Sequence, residues 1–267
     1  MLHDQHCHTS FSLDSKASIE EYFKIAIKNK TKYFITTEHI EFDSVYNKIN
    51  WTVDYEGLKY TLNYLKDKYK SVTPLLGVEL GYRKDHLEDM NKLIKSQDFD
   101  LINMSIHDNG IYDYYMKEAF LEKGVDGMLD IYFNNILDAL ENFHDFDVLS
   151  HFDYGFKSAY NVDNSIRIND YEEIVRKIFK KVILLDKTLE INIKVQSLLK
   201  INNHLETWLT WYKEEGGEKL TISSDAHEEK YHDEYYEIRP RYVELIKKCG
   251  FNSLRYFVKR KEYIYEI

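Results

Sequence analysis

The chain has 267 residues, 43% hydrophobic and 31% charged, with 2 Pro and 10 Gly, a composition that excludes the disordered and fibrous classes. A formal charge of -10 argues against nucleic acid as a partner, because such binders carry a basic face, yet it leaves room for an anionic small substrate where bound cations reverse the local field. Two cysteines, Cys7 and Cys249, make no disulfide framework, and no apolar run suits a signal peptide or a membrane span, so a soluble cytoplasmic protein without a membrane partner is expected.

In chain order, a candidate strand at about residues 2–8 is followed by helical spacing from Ser18 to Lys30, where Tyr22, Phe23, Ile25 and Ala26 mark one buried face. Further strands are expected near 33–38, 75–81, 100–106, 147–151, 188–193 and 220–224. Between them, helices are expected over Tyr55–Tyr69, Leu87–Lys95, Met116–Phe143, Tyr171–Ile183 and Leu205–Glu214. A last helix, Arg241–Cys249, is ended by Gly250 as a C-cap, and Leu254–Ile267 reads as two short strands around Lys259-Arg260-Lys261. Strands alternating with helices imply βαβ units on a mainly parallel sheet. About seven such units without a Pro/Gly/Ser-rich linker imply a single α/β domain over residues 1–267, closed or nearly closed as a barrel. A doubly wound open sheet gives the same alternation and is the rival architecture.

The chemistry-bearing residues fall at the strand ends. His6 and His8 end the first strand on one face, with Cys7 pointing away as a small buried hydrophobe. His39 ends the second strand and Glu79 lies near the end of the third. His107 follows the fourth, His151 the fifth, and Asp225 and His227 the seventh. In a parallel barrel these ends converge on one face, where barrel enzymes keep their active sites. Six of the 11 histidines therefore meet there with at least two carboxylates. Imidazole and carboxylate ligate Zn, Fe or Mn, and so many ligands exceed what one ion uses; two to three divalent transition metals sharing a bridging carboxylate are expected. Adjacent metals about 3.5–4 Å apart suit in-line displacement at phosphorus.

A phosphate monoester also invites a cation. Lys157, six residues after His151, and Arg255 in the tail are the candidate substrate-binding residues, whereas Arg83 and Arg239 read as solvated surface. Tyr112, Tyr114 and Tyr115 either wall the pocket or pack within their loop. His3 reads as a residue of the far face or the barrel bottom, and His86, His144, His204 and His232 as exposed.

The ordered motifs His6-Cys7-His8-Thr9, Glu38-His39, Glu79, Ser105-Ile106-His107, Ser150-His151-Phe152-Asp153 and Ser224-Asp225-Ala226-His227 resemble the PHP (polymerase and histidinol phosphatase) superfamily. Thr37-Glu38-His39, Leu189-Glu190-Ile191-Asn192 and the tail from Gly250-Phe251 are most similar to its histidinol-phosphatases of the HisJ/HisK type. The resemblance implies a distorted (β/α)7 barrel with a trinuclear centre at the C-terminal strand ends. It implies one metal on His6, His8, Glu79 and Asp225, a second on Glu79, His107 and His151, and a third on His39, His227 and Asp14. Asp14 has a second reading, as a turn or N-cap residue in the serine-rich loop before Ser18.

The implied reaction is hydrolysis of L-histidinol phosphate to L-histidinol and phosphate in histidine biosynthesis, by a metal-activated water. Asp225 and His227 are the candidate catalytic proton carriers. Alternatives are a phosphoesterase of the same superfamily acting on another small phosphate monoester or on phosphotyrosine, a nuclease, which the acidic charge counts against, and a barrel that keeps metals only for stability. After the sixth strand, where relatives continue with a small polar stretch, this chain has Ile193-Lys194-Val195-Gln196, a departure at the expected substrate contacts. The sequence carries no signal for oligomeric state.

Overall fold

A computed structural model describes residues 2–194 and 204–267. Six strands pair side by side in chain order, every neighbour parallel: β1 (Tyr33–Ile40), β2 (Thr73–Gly81), β3 (Leu101–Ser105), β4 (Val148–Leu149), β5 (Thr188–Asn192) and β6 (Leu220–Ser223). Helices α1 (Ile19–Lys28), α2 (Tyr55–Lys68), α3 (Leu87–Ser96), α4 (Lys117–Lys123), α5 (Val125–Asn142), α6 (Tyr154–Val162), α7 (Glu172–Leu184), α8 (His204–Glu214) and α9 (Glu229–Lys248) occupy the connections. The strands are buried almost end to end, as parallel strands covered on both faces must be. Among the described residues, no helix is long and apolar enough to cross a membrane.

The expected strand at 2–8 is not a regular strand. Cys7 forms one isolated parallel bridge to Ala226, and the Thr37 N–H donates to the Cys7 carbonyl at 2.9 Å, so this segment joins the β6 side of the sheet to β1. Side chains take over much of its ladder: Asp4 accepts from the backbone N–H groups of His6 and Ser224, and the Cys7 N–H donates to Thr37 Oγ1 at 3.1 Å. The fifth expected strand shrinks to Val148–Leu149. The helix expected over Met116–Phe143 is broken at Gly124 into α4 and α5. The short helix at Arg241 is the C-terminal half of α9, which runs on through Pro240, and α6 was not expected. Gly250 caps α9 at φ +88°, and the tail forms the hairpin β7 (Ser253–Val258) and β8 (Lys261–Glu266). Its two-residue turn, Lys259-Arg260, has both φ values positive, as the twist of a tight hairpin demands.

Among the described residues, two apolar clusters flank the sheet. The larger packs the helices against it. The smaller joins Ile35, Leu75, Leu101 and Val148 with Phe257 of the hairpin. Ile35 and His39 lie four residues apart in β1, and Leu75 and Glu79 four apart in β2, so in each strand the apolar residue and the site residue share a face. That face is apolar where the strands begin, with the hairpin packed there, and polar where they end.

Gly81, the last residue of β2, leaves space for the Glu41 side chain: a Cβ there would lie 1.8 Å from Glu41 Oε2. Glu41 is buried and its other oxygen is held by His107 Nδ1 at 2.6 Å, so it cannot swing aside cheaply. Gly81→Ala is expected to cost roughly 1–3 kcal/mol of stability through overpacking, and most of that cost should vanish in a Glu41→Ala background. Urea denaturation of the four variants of this cycle checks it; strictly additive losses would contradict the packing account.

Candidate metal centre

Register sets the first contact of the site. His39 of β1 pairs with Glu79 of β2, which places the two side chains next to one another. His6 and His8 are fixed against the segment after β6, since the Asp225 N–H donates to the His6 carbonyl and the His8 N–H to the Ala226 carbonyl, each at 2.8 Å. Asp225 itself sits in the left-handed region at φ +52°, a conformation that aspartate tolerates better than most residues.

Glu79 is the hub and is fully buried. Its Oε2 lies 3.0 Å from His6 Nε2, 3.1 Å from His8 Nε2 and 3.0 Å from His39 Nδ1. Its Oε1 lies 2.8 Å from His151 Nε2 and 3.3 Å from His107 Nε2, and accepts from Ser105 Oγ at 2.5 Å. Asp225 Oδ1 is 3.3 Å from His8 Nε2 and 3.9 Å from His6 Nε2. Asp14 Oδ2 is 3.0 Å from His227 Nε2 and 3.7 Å from His39 Nε2, which favours the site reading of Asp14 over the turn reading.

Close as they are, many of these atoms do not bond one another. His6 Nε2, His8 Nε2, His39 Nδ1, Glu79 Oε2 and Asp225 Oδ1 are all buried without a hydrogen-bond partner. Each such atom costs roughly 1–3 kcal/mol, and several at one spot call for a common partner. Imidazole nitrogens and carboxylate oxygens converging on one point form a donor set for divalent metals, so the residues present fit the group. One grouping that could hold an ion is His6, His8, Glu79 and Asp225, the set expected for the first metal. Three further groupings in the same cluster divide the residues differently from the expectation: His39 joins Glu79 and His107, His8 joins His39 and His227, and His151 lies with His6 and Glu190.

A second layer of side chains, which sequence reasoning missed, aims the imidazoles. His6 Nδ1 lies 2.7 Å from Glu190 Oε1, and the other Glu190 oxygen accepts the His151 N–H at 2.8 Å. His107 Nδ1 lies 2.6 Å from Glu41 Oε1, and His8 Nδ1 lies 3.2 Å from Ser12 Oγ. A proton held on Nδ1 by a carboxylate leaves the Nε2 lone pair facing Glu79. The available signal was the strand pattern: a carboxylate inside a buried strand, as Glu190 is in β5, needs a partner. Without a bound ion, burial works against a proton on His8, yet the Asp225 and Glu79 carboxylates beside its Nε2 outweigh it and lift its pKa to about 9. Burial, with the neighbouring His8 charge, lowers His227 to about 4.

The cavity above the cluster is walled by Tyr46, Trp51, Tyr115 and Tyr154. Lys157 lines it as expected, with Nζ 4.5 Å from the centre of the Tyr115 ring, and burial lowers its pKa. Of the three tyrosines after His107, Tyr115 lines the cavity and Tyr114 is core. Arg255 does not reach the cavity: it sits in β7, bonded to Ser253 Oγ at 2.7 Å and paired with Glu262 at 3.2 Å. The cation that the sequence reading missed is Lys194, whose Nζ lies 3.0 Å from His227 Nδ1 and 3.6 Å from Asp225 Oδ1. It belongs to the departure noted above, whose Val195 and Gln196 lie outside the described residues. His204 and His232 are buried rather than exposed, His232 Nδ1 lying 3.1 Å from Asp4 Oδ2, and Arg83 and Arg239 are buried rather than solvated. His3 is buried, and Cys7 is buried as expected.

The PHP domain family matches residues 4–194 of this chain. A probable histidinol-phosphatase of Clostridium acetobutylicum is 32% identical over 230 residues, 85% of this chain and 87% of its own length. A histidinol-phosphatase of Lactococcus lactis subsp. lactis is 27% identical over 256 residues, covering 95% of this chain and 93% of its own. A crystal structure of histidinol phosphate phosphatase from that organism, complexed with zinc, L-histidinol and phosphate, superimposes with a TM-score of 0.85 at 25% identity, over 98% of both chains. With the motifs in order and the matches spanning nearly its whole length, the chain belongs to the PHP domain family, among its histidinol-phosphatases.

Proposed function

We propose that this chain hydrolyses L-histidinol phosphate to L-histidinol and phosphate in histidine biosynthesis, as a cytoplasmic enzyme carrying two to three divalent transition metals (Zn, Fe or Mn). The observation that carries the reading is the set of buried, unbonded imidazole and carboxylate atoms around Glu79, lying beneath a cavity with two lysines in its wall. The relative crystallised with zinc, L-histidinol and phosphate supports the same substrate and a metal of this class.

In this reading the chain is one domain and a distorted (β/α)7 barrel, with residues 2–8 standing in for the seventh strand; the bridge from Cys7 to Ala226 and the bond from Thr37 support that closure. His6, His8, Glu79 and Asp225 would hold the first metal, His107 and His151 with Glu79 a second, and His39, His227 and Asp14 a third. Bound there, the metals supply Lewis acidity to the phosphate and to the attacking water. The rest of the work falls to the chain. Lys157 and Lys194 bring positive charge to the phosphate oxygens at the cavity wall. Asp225 and His227, beside Lys194, hold the proton of the attacking water and return it to the leaving alkoxide. Tyr154, packed against His107 and His151 with ring centres 5.3 and 5.2 Å away, keeps bulk water from the far wall.

Turnover of L-histidinol phosphate against a panel of sugar phosphates, a phosphotyrosine peptide, single-stranded DNA and a generic aryl phosphate tests the assignment. L-Histidinol phosphate should lead in kcat/KM by at least about a hundredfold, the gain a site built for polar groups achieves; parity with the aryl phosphate would refute it. Metal uptake should depend on pH with a defined sign. His8 holds its proton up to about pH 9 in the ion-free chain, so a metal must displace it. Zinc binding at neutral pH should therefore release protons and weaken as pH falls. Calorimetry in buffers of different ionisation enthalpy measures that release, and a buffer-independent heat would contradict it.

A further inference from the structure

A buried carboxylate next to the metal centre is unused by the mechanism. Glu38 lies within β1, one residue before His39 and so on the opposite face of the strand, and is fully buried. Its Oε2 accepts the Thr9 N–H at 3.0 Å and the Ser12 hydroxyl at 2.6 Å, and its Oε1 accepts the hydroxyls of Thr9 and Thr36. Glu38 does not touch the cluster, but Ser12 does.

A serine hydroxyl has one proton and two lone pairs. At Ser12 Oγ the His39 N–H, which can only donate, takes one lone pair at 3.0 Å, and the proton goes to Glu38. The lone pair that is left faces His8 Nδ1 at 3.2 Å, so that nitrogen is the donor and carries a proton. His8 Nε2, 3.1 Å from Glu79 Oε2 and 3.3 Å from Asp225 Oδ1, is then the atom with a lone pair for an ion. The His8 ring packs on His39 and His227, with centres 4.1 and 4.2 Å away, which fixes its plane but not its proton. His6 and His107 meet their carboxylates directly, Nδ1 lying 2.7 Å from Glu190 and 2.6 Å from Glu41. At His8 a hydroxyl stands between, and a hydroxyl that donates to a carboxylate is the stronger acceptor for it. We propose that Glu38 is a positioning residue, which acts through Ser12 to hold a proton on His8 Nδ1 and present Nε2 to the ion. The proposal rests on the metal-centre reading above and adds to it a residue that is not itself a ligand.

The test measures zinc affinity of the full chain by chelator competition and the His8 Nδ1 proton by NMR of the zinc-loaded, isotope-labelled protein. Ser12→Ala and Glu38→Ala should each weaken zinc binding by about 10–100-fold, the usual worth of a group that orients a ligand. Adding Glu38→Ala to Ser12→Ala should cost little more, because the link is already broken. Glu38→Gln should recover most of what Glu38→Ala loses: the Thr9 N–H can only donate, so it draws the amide oxygen to the place of Oε2, where the Ser12 hydroxyl also points. The His8 proton should move upfield in Ser12→Ala and also in Glu38→Ala, although Glu38 does not touch His8.

Undiminished zinc affinity in either alanine variant overturns the proposal, as do losses that simply add in the double variant. A His8 proton that moves with Ser12→Ala but not with Glu38→Ala also overturns it, since Glu38 would then only hold the loop that carries Thr9. Should Glu38→Ala not fold, Glu38→Gln decides: loss of the charge should still move the His8 proton part of the way that Ser12→Ala does, and no movement sinks the idea. A wild type that takes up no zinc removes the metal centre and this proposal together. One that loads zinc fully and is indifferent to Glu38 and Ser12 removes this proposal alone.

Discussion

The molecule is organised around a carboxylate that its own neighbours leave unsatisfied. Glu79 is fully buried and has imidazoles of five histidines within 3.3 Å, yet Oε2 has no hydrogen-bond partner. Desolvation would push a lone carboxyl up, but the surrounding imidazoles hold Glu79 well below the usual range. In the ion-free chain this works by keeping the imidazoles charged, so that burial is offset by a network of protons. Divalent ions do the same job with fewer particles and better directed bonds.

That constraint explains features that look unrelated. The segment 2–8 must place His6 and His8 between β6 and β1, and it gives up a regular ladder to do so, with Asp4 and Thr37 supplying the bonds. Glu41 and Glu190 are buried carboxylates far apart in sequence, and both serve to hold Nδ1 of an imidazole. Gly81 is small because Glu41 passes over it. The hairpin β7–β8 packs Phe257 on the opposite end of the sheet and keeps that end apolar. An acidic chain of net charge -10 can still draw an anion to this cavity, because Lys157 and Lys194 line it.

Much of this was legible in the sequence because a strand has a period of two and parallel strands end together. His39, Glu79, His107 and His151 could be placed from those facts alone, and the structure brings the three imidazoles within 3.3 Å of Glu79. What was not legible depends on contacts across long stretches of chain. Arg255 was a candidate as a cation of the tail, but the hairpin pairs it with Glu262, away from the cavity. Lys194 went unnoticed because nothing local marks a lysine that reaches back to Asp225. His232 read as exposed, whereas it is buried against Asp4, 228 residues away. The N-terminal half of α9 was missed, and the helix runs on through Pro240 into the half that was expected.

The proposed centre depends on Glu79 bridging two ions. The most direct measurement is a crystal structure of the zinc-loaded protein with anomalous difference maps at the zinc edge. Two to three peaks are predicted, with at least two at bonding distance from Glu79, one on each of its oxygens. A single peak that leaves one Glu79 oxygen without a metal, or no peak beside Glu79, would contradict it.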